Sequence, residues 1–154
     1  MATKRPTGNP FARTHCRAAY RSGLEAALSL ALTGLGISFA YEAVKVPFTQ
    51  PEKSRTYSPD FILRNGVVVE TKGLFDAADR QKHLWVKAQH PDLDIRFVFS
   101  SEKAKLSKGS ATTYADWCKK NGYKFSTKTI PPEWLTEAPN TASLAKLTKL
   151  GYKP

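Results

Sequence analysis

Two β-rich runs, Tyr57–Leu63 and Val67–Lys72, flank Arg64-Asn65-Gly66, and this hairpin signature constrains the fold more than any other feature of the chain. Side chains two apart in a strand share a face, so Glu70 and Lys72 point one way while Val69 and Thr71 point the other. The length of the turn decides what faces them. A two-residue Asn65-Gly66 loop would pair Asp60 with Thr71 and send the carboxylates to opposite faces. A three-residue loop ends in a left-handed residue, a position that suits Gly66, and pairs Asp60 with Glu70. The expectation is the three-residue form, with Asp60, Ile62, Val68, Glu70 and Lys72 on one face.

Around the hairpin, Ser22 offers an N-cap to a helix from about Gly23 to Leu35, with Glu25 placed to close a capping box and Gly34 and Gly36 as stop signals. Leu24, Leu28, Ala31, Leu32 and Leu35 fall on its apolar face, while Ser22, Ser29 and Thr33 lie elsewhere. Phe39 to Val46 reads as a strand and the prolines Pro47 and Pro51 as a stiff connector. Asp76 caps a second helix through Gln89, Ile95 to Phe99 forms a short strand, and Thr112 or Thr113 starts a third helix that Asn121-Gly122 ends. This order predicts an α/β fold with a mixed sheet flanked by helices. One domain is expected, 18–137, with a basic arm at 1–17 and a basic tail at 138–154.

The chain carries 24 Lys plus Arg against 13 Asp plus Glu, a net charge of +11. Such a surplus points to a polyanion, with nucleic acid first, because each cation set against a phosphate releases condensed counterions. Lys4, Arg5, Arg13, Arg17 and Arg21 precede any acid, and Lys103, Lys105 and Lys108 form a second basic loop; these are the candidate phosphate contacts. Cys16 and Cys118 make no disulfide framework or zinc spacing, so the chain reads as intracellular. The uncharged stretch Ala26–Tyr41 reads as a packed amphipathic helix, not a leader or a membrane span.

Two carboxylates about 5 Å apart need a counter-charge, which a hard divalent cation such as magnesium supplies. Asp60 and Glu70 with Lys72 therefore suggest a metal-dependent phosphodiesterase site; the bland alternative is a half-buried hairpin with exposed ion pairs worth about 0–1 kcal/mol each. His83 and His90 lie seven apart on one helix and make a weak zinc candidate. Trp85, Trp117 and Trp134 fit core positions better than stacking platforms for bases.

Tyr20-Arg21-Ser22-Gly23-Leu24-Glu25, the segments Tyr57-Ser58-Pro59-Asp60-Phe61 and Val69-Glu70-Thr71-Lys72-Gly73-Leu74, and Lys82-His83-Leu84 through His90-Pro91-Asp92-Leu93-Asp94-Ile95-Arg96 resemble the bacteriophage endonuclease I family of Holliday-junction resolvases. The resemblance runs from about Tyr20 to Trp134 and matches less well in the arm and after Glu137. It implies a restriction-endonuclease-like fold in an intertwined homodimer that nicks opposing strands of four-way DNA junctions with Mg2+ or Mn2+, two ions per site. Asp60, Glu70 and the Thr71 carbonyl would hold the first ion, and Lys72 would be the catalytic lysine. Glu25 from the partner would complete a second ion site with Asp60, against the capping box that spacing alone favours. Lys45 to Thr49 would be the bridge along which the chains exchange elements. A sequence-specific or general endonuclease with the same site, and a non-catalytic nucleic-acid-binding module, stand as the alternatives.

Overall fold

The computed structural model describes residues 20–50 and 52–154, so Lys4, Arg5, Arg13, Arg17 and the 1–17 arm lie outside the described residues. In chain order the elements are α1 (Gly23–Gly34), β1 (Phe39–Tyr41), β2 (Val46–Gln50), β3 (Lys53–Tyr57), β4 (Phe61–Leu63), β5 (Val67–Lys72), α2 (Ala77–Gln89), β6 (Asp94–Phe99), α3 (Tyr114–Asn121), β7 (Phe125–Thr127), α4 (Pro132–Thr136) and α5 (Thr141–Lys149). Five strands form a sheet in the order β1-β4-β5-β6-β7, antiparallel through β5 and parallel beyond it, while β2 and β3 pair in a sheet of their own. The parallel β5–β6 pair is bridged by α2, as a crossover requires.

Alternation along the strands sorts the core onto two faces. Ile62, Val68, Phe97 and Phe99 pack with residues of α2, α3, α5 and the β2–β3 pair. Phe61, Leu63, Val67, Val69 and Val98 meet Leu28 and Leu32 of α1 and Trp134 of α4. Trp117 and Trp134 are buried, and Trp85 stacks on Phe48, so all three indoles pack within the fold. The free thiol of Cys118 is buried too.

The hairpin turn has three residues. Phe61 lies opposite Val69 and Ile62 opposite Val68, which brings Asp60 opposite Glu70, and Gly66 has φ +85°. The first run is not one strand, however. Tyr57 ends β3 in the small sheet and only Phe61–Leu63 joins the large one, because Pro59 has no N–H for a ladder and the chain changes sheets there. The expected Phe39–Val46 strand breaks likewise at Glu42, whose φ is +44°, and the connector folds as β2, where Pro47 is tolerated in a two-stranded pair.

One other expectation needs correction. The buried stripe of α1 runs through Glu25, Leu28, Ser29 and Leu32, leaving Leu35 exposed; Ser29 tolerates burial because its hydroxyl donates to the Ala26 carbonyl. β7 had no recognisable run in the sequence. The segment 138–154 is no free tail: Leu147 and Tyr152 are buried, Ser143 Oγ donates to the Gly66 carbonyl at 2.6 Å, and the Asn140 N–H donates to the Asn65 carbonyl at 2.8 Å. α5 thus sits directly over the hairpin turn. Arg96, 2% exposed, joins Asp94 to Glu137 at 2.7 and 2.6 Å and fixes the chain just after α4 to β6.

Candidate active site

A cleft of about 320 Å3 opens where β4, β5, the end of β3 and the start of α1 meet, and Glu25, Asp60 and Glu70 line it together with Arg21, Lys72 and Lys82. Each carboxylate is held differently. Glu70, 3% exposed at the end of a strand buried on both faces, accepts a hydrogen bond from the Tyr57 hydroxyl at 2.7 Å and faces Lys72 Nζ at 3.1 Å. His83 Nε2 stands 3.5 Å from the same carboxylate. Burial opposes the Glu70 charge, but His83, Lys72 and Lys82 outweigh it and hold its carboxyl below the usual range. Burial lowers the pKa of His83 itself, and Glu70 beside it opposes that shift.

Asp60 accepts from both the N–H and the hydroxyl of Thr71 through Oδ2, each at 2.8 Å. Among the described residues no cation lies within ion-pair distance of Asp60 or Glu25. Burial and then the facing Glu70 push the Asp60 carboxyl from 3.8 up to about 7. Its proton is therefore bound more tightly in the folded chain than in the unfolded one. The stability this confers is complete below pH ~4 and is lost as pH rises through about 7. In metal-free buffer the melting temperature is expected to fall across that interval, and Asp60→Asn to flatten the fall. An unaltered pH profile in the variant would mean that Asp60 ionises as freely folded as unfolded.

Glu25 makes only half of a capping box. Ser22 does cap α1 by accepting from the Glu25 N–H at 3.1 Å, yet the Glu25 carboxylate does not return to Ser22. It accepts from the Arg21 N–H at 2.9 Å and from the Tyr41 hydroxyl at 2.7 Å, and so it faces the cleft, 7% exposed. Arg21 lines the cleft with its guanidinium on Glu42 at 2.7 Å.

No group of three or more His, Cys, Asp or Glu side chains is arranged to hold a metal ion among the described residues, since the carboxylates are engaged by protein donors. The donor set still suits a hard cation. Magnesium takes one or two carboxylates and completes its shell with water and phosphate oxygens, and here the buried Glu25 and the half-buried Asp60 share a cleft with no cation in ion-pair distance among the described residues. The histidines do not form a zinc site: His83 faces Glu70, whereas His90, the C-cap of α2, sets Nε2 against the Pro47 carbonyl. Lys103, Lys105 and Lys108 are exposed on the loop before α3, away from the cleft. Tyr57, Asp79 and Lys82 are site residues that sequence spacing missed, and it offered His83 only as a zinc candidate. Lys82 and His83 fall within a segment that resembles the family, but no strand or helix period connects either of them to Glu70.

The profile of the family Phage endonuclease I matches residues 8–153. Endonuclease I of Escherichia phage T7 is 50% identical over 135 residues, covering 88% of this chain and 91% of that protein. Endodeoxyribonuclease 1 of Enterobacteria phage T3 is 48% identical over 136 residues, covering 88% and 90%. No helix among the described residues is long and apolar enough to cross a membrane.

Proposed function

From the premise that the chain belongs to the phage endonuclease I family and is a DNA endonuclease, we propose that it resolves four-way and other branched DNA junctions inside the infected cell, by metal-dependent phosphodiester hydrolysis in the cleft around Asp60. The observation that carries this reading is Asp60 placed opposite Glu70, with Lys72 Nζ 3.1 Å from Glu70 and Glu25 in the same cleft. Asp60, Glu70 and the Thr71 carbonyl would hold one Mg2+, which Mn2+ replaces, and Glu25 with Asp60 a second. Bound there, a divalent ion polarises the scissile phosphate and lowers the pKa of the attacking water.

The chain's own groups do the rest. The Tyr57 hydroxyl holds the Glu70 carboxylate, with the buried His83 ring 3.5 Å from it, which would keep it from turning away when the cleft fills. Lys72 offers its ammonium to charge that develops on the phosphorus oxygens. Arg21, Lys103, Lys105, Lys108 and the cations of the 1–17 arm would neutralise flanking phosphates, which gives affinity without sequence preference.

Two opposed cuts in a nearly two-fold junction call for two sites, and a homodimer supplies them. The exchange would run along Lys45–Thr49. Among the described residues β2 pairs only with β3, outside the large sheet, so α1 and β1 would be passed to a second copy and remake there the contacts they make here.

The deciding experiment compares cleavage of a four-way junction and of a linear duplex of the same sequence, with Mg2+ and with chelator. Junction-selective, Mg2+-dependent nicking is expected. Equal rates on both substrates would make it a general endonuclease, and cleavage in chelator would overturn the metal-dependent site.

A further inference from the structure

The cleft presents two lysines, and one acid outside the hairpin holds both. Lys72 Nζ lies 3.1 Å from Glu70 Oε1 and 3.3 Å from Asp79 Oδ1. Lys82 Nζ lies 3.0 Å from that same Asp79 oxygen and 5.5 Å over the ring of Tyr57, whose hydroxyl is bonded to Glu70. Both lysines line the cleft and Asp79 does not, so the ammonium groups face inward and the carboxylate grips them from behind.

Asp79 is itself well fixed. It stands in the first turn of α2, where the helix dipole favours an anion, and its N–H is held at 2.8 Å by the Asp76 cap. The α2 crossover lays this turn beside the end of β5, so the acid meets Lys72 although seven residues separate them.

Charge arithmetic gives the arrangement a purpose. Glu70 and Asp79 together balance Lys72 and Lys82. Once Glu70 is committed to a metal ion, Asp79 alone faces two ammonium groups, and one positive charge is left for the substrate. A lysine held by one carboxylate also keeps N–H donors free for phosphate oxygens.

We propose that Asp79 is a positioning residue that sets Lys72 and Lys82 as paired cations for the cleaved strand, Lys72 at the reacting phosphate and Lys82 at a neighbouring one. The inference rests on the reading of this cleft as the active site. Lys82 is then a substrate contact, and Asp79 acts only through the lysines.

The test uses the full chain, a four-way junction, single-turnover cleavage in Mg2+ and binding in chelator. Asp79→Asn is expected to slow cleavage about tenfold or more, since a misplaced catalytic group loses its alignment, and to weaken junction binding no more than Lys82→Gln does. In a Lys72→Ala background the same change should have almost no further effect on the single-turnover rate, because the lysine it sets at the reacting phosphate is gone and its hold on Lys82 is read in binding. Lys82→Gln should weaken binding and lower the salt slope by about one. The inference is overturned if Asp79→Asn cleaves at the parental rate, if its effect persists in full without Lys72, or if Lys82→Gln leaves the salt slope intact. Failure of the active-site reading looks different, because Lys72→Ala and Glu70→Gln would then cleave normally.

Discussion

Glu70→Gln is expected to reduce cleavage on the order of 1,000-fold or more while junction affinity in chelator stays within a few-fold of the parent, because about 4 kcal/mol of transition-state stabilisation is lost without any phosphate contact. Glutamine keeps the size of the side chain and an oxygen for the Tyr57 hydroxyl, so the buried end of β5 need not repack. What disappears is the charge that Lys72 faces at 3.1 Å and a ligand for the proposed cation. Loss of that charge also removes one of the two main causes that raise the Asp60 pKa, so the pH-dependent melting of the metal-free protein should shift to lower pH in the same variant. Single-turnover rates and band-shift titrations read both effects. A Glu70→Gln protein that nicks at the parental rate would remove the cleft around Asp60 from the reaction altogether.

Gly66→Ala is the substitution expected to cost most in stability. The backbone there has φ +85°, and an added Cβ would lie 2.9 Å from Leu144 Cγ and 3.0 Å from the Asn140 carbonyl oxygen. The left-handed conformation costs an alanine about 1–2 kcal/mol and the overpacking about 1–3 kcal/mol more. A fall in melting temperature of roughly 10 °C follows for a chain of this size. α5 cannot simply retreat, because Ser143 is bonded to the Gly66 carbonyl and Asn140 to that of Asn65. A variant that melts within a degree or two of the parent would mean that the turn tolerates a side chain and that α5 yields freely.

The parts of the fold legible in the sequence are those fixed by local chemistry. Turn residues and two-residue alternation gave the register that sets Asp60 against Glu70. Asp76, Thr113 and Gly122 marked the ends of α2 and α3, and each acts as the cap its residue type suggests. Where packing or sheet membership decides, local chemistry was silent. Nothing before Pro59 tells Lys53–Tyr57 to pair with β2, and α1 turns its stripe toward Glu25 and Ser29 because Tyr41 and the cleft, not hydropathy alone, take that face. The lysines of α5 hid a helix whose Leu147 is buried. The candidate site divides in the same way. Asp60, Glu70, Thr71 and Lys72 share one hairpin and were found together; Asp79, Lys82 and His83 arrive on α2, and Tyr57 on β3, through tertiary approach that no spacing rule encodes.

The third carboxylate of the cleft sits on the most lightly fastened part of the molecule. α1 is anchored by Leu28 and Leu32 on one side, leaves Leu30 and Leu35 at 63% and 66% exposure on the other, and continues into β1, a three-residue strand paired with β4 alone. Segments with few buried contacts open at a lower free energy than the core strands they cover. β5 and β6, which carry Glu70 and the centre of the sheet, therefore stay closed through fluctuations that release α1 and take Glu25 out of the cleft. If Glu25 belongs to the site, a substrate that engages Arg21 in the cleft lining would favour the state in which α1 is docked and the third carboxylate is present. For a DNA endonuclease, such a site would be armed by the DNA it binds and idle without it.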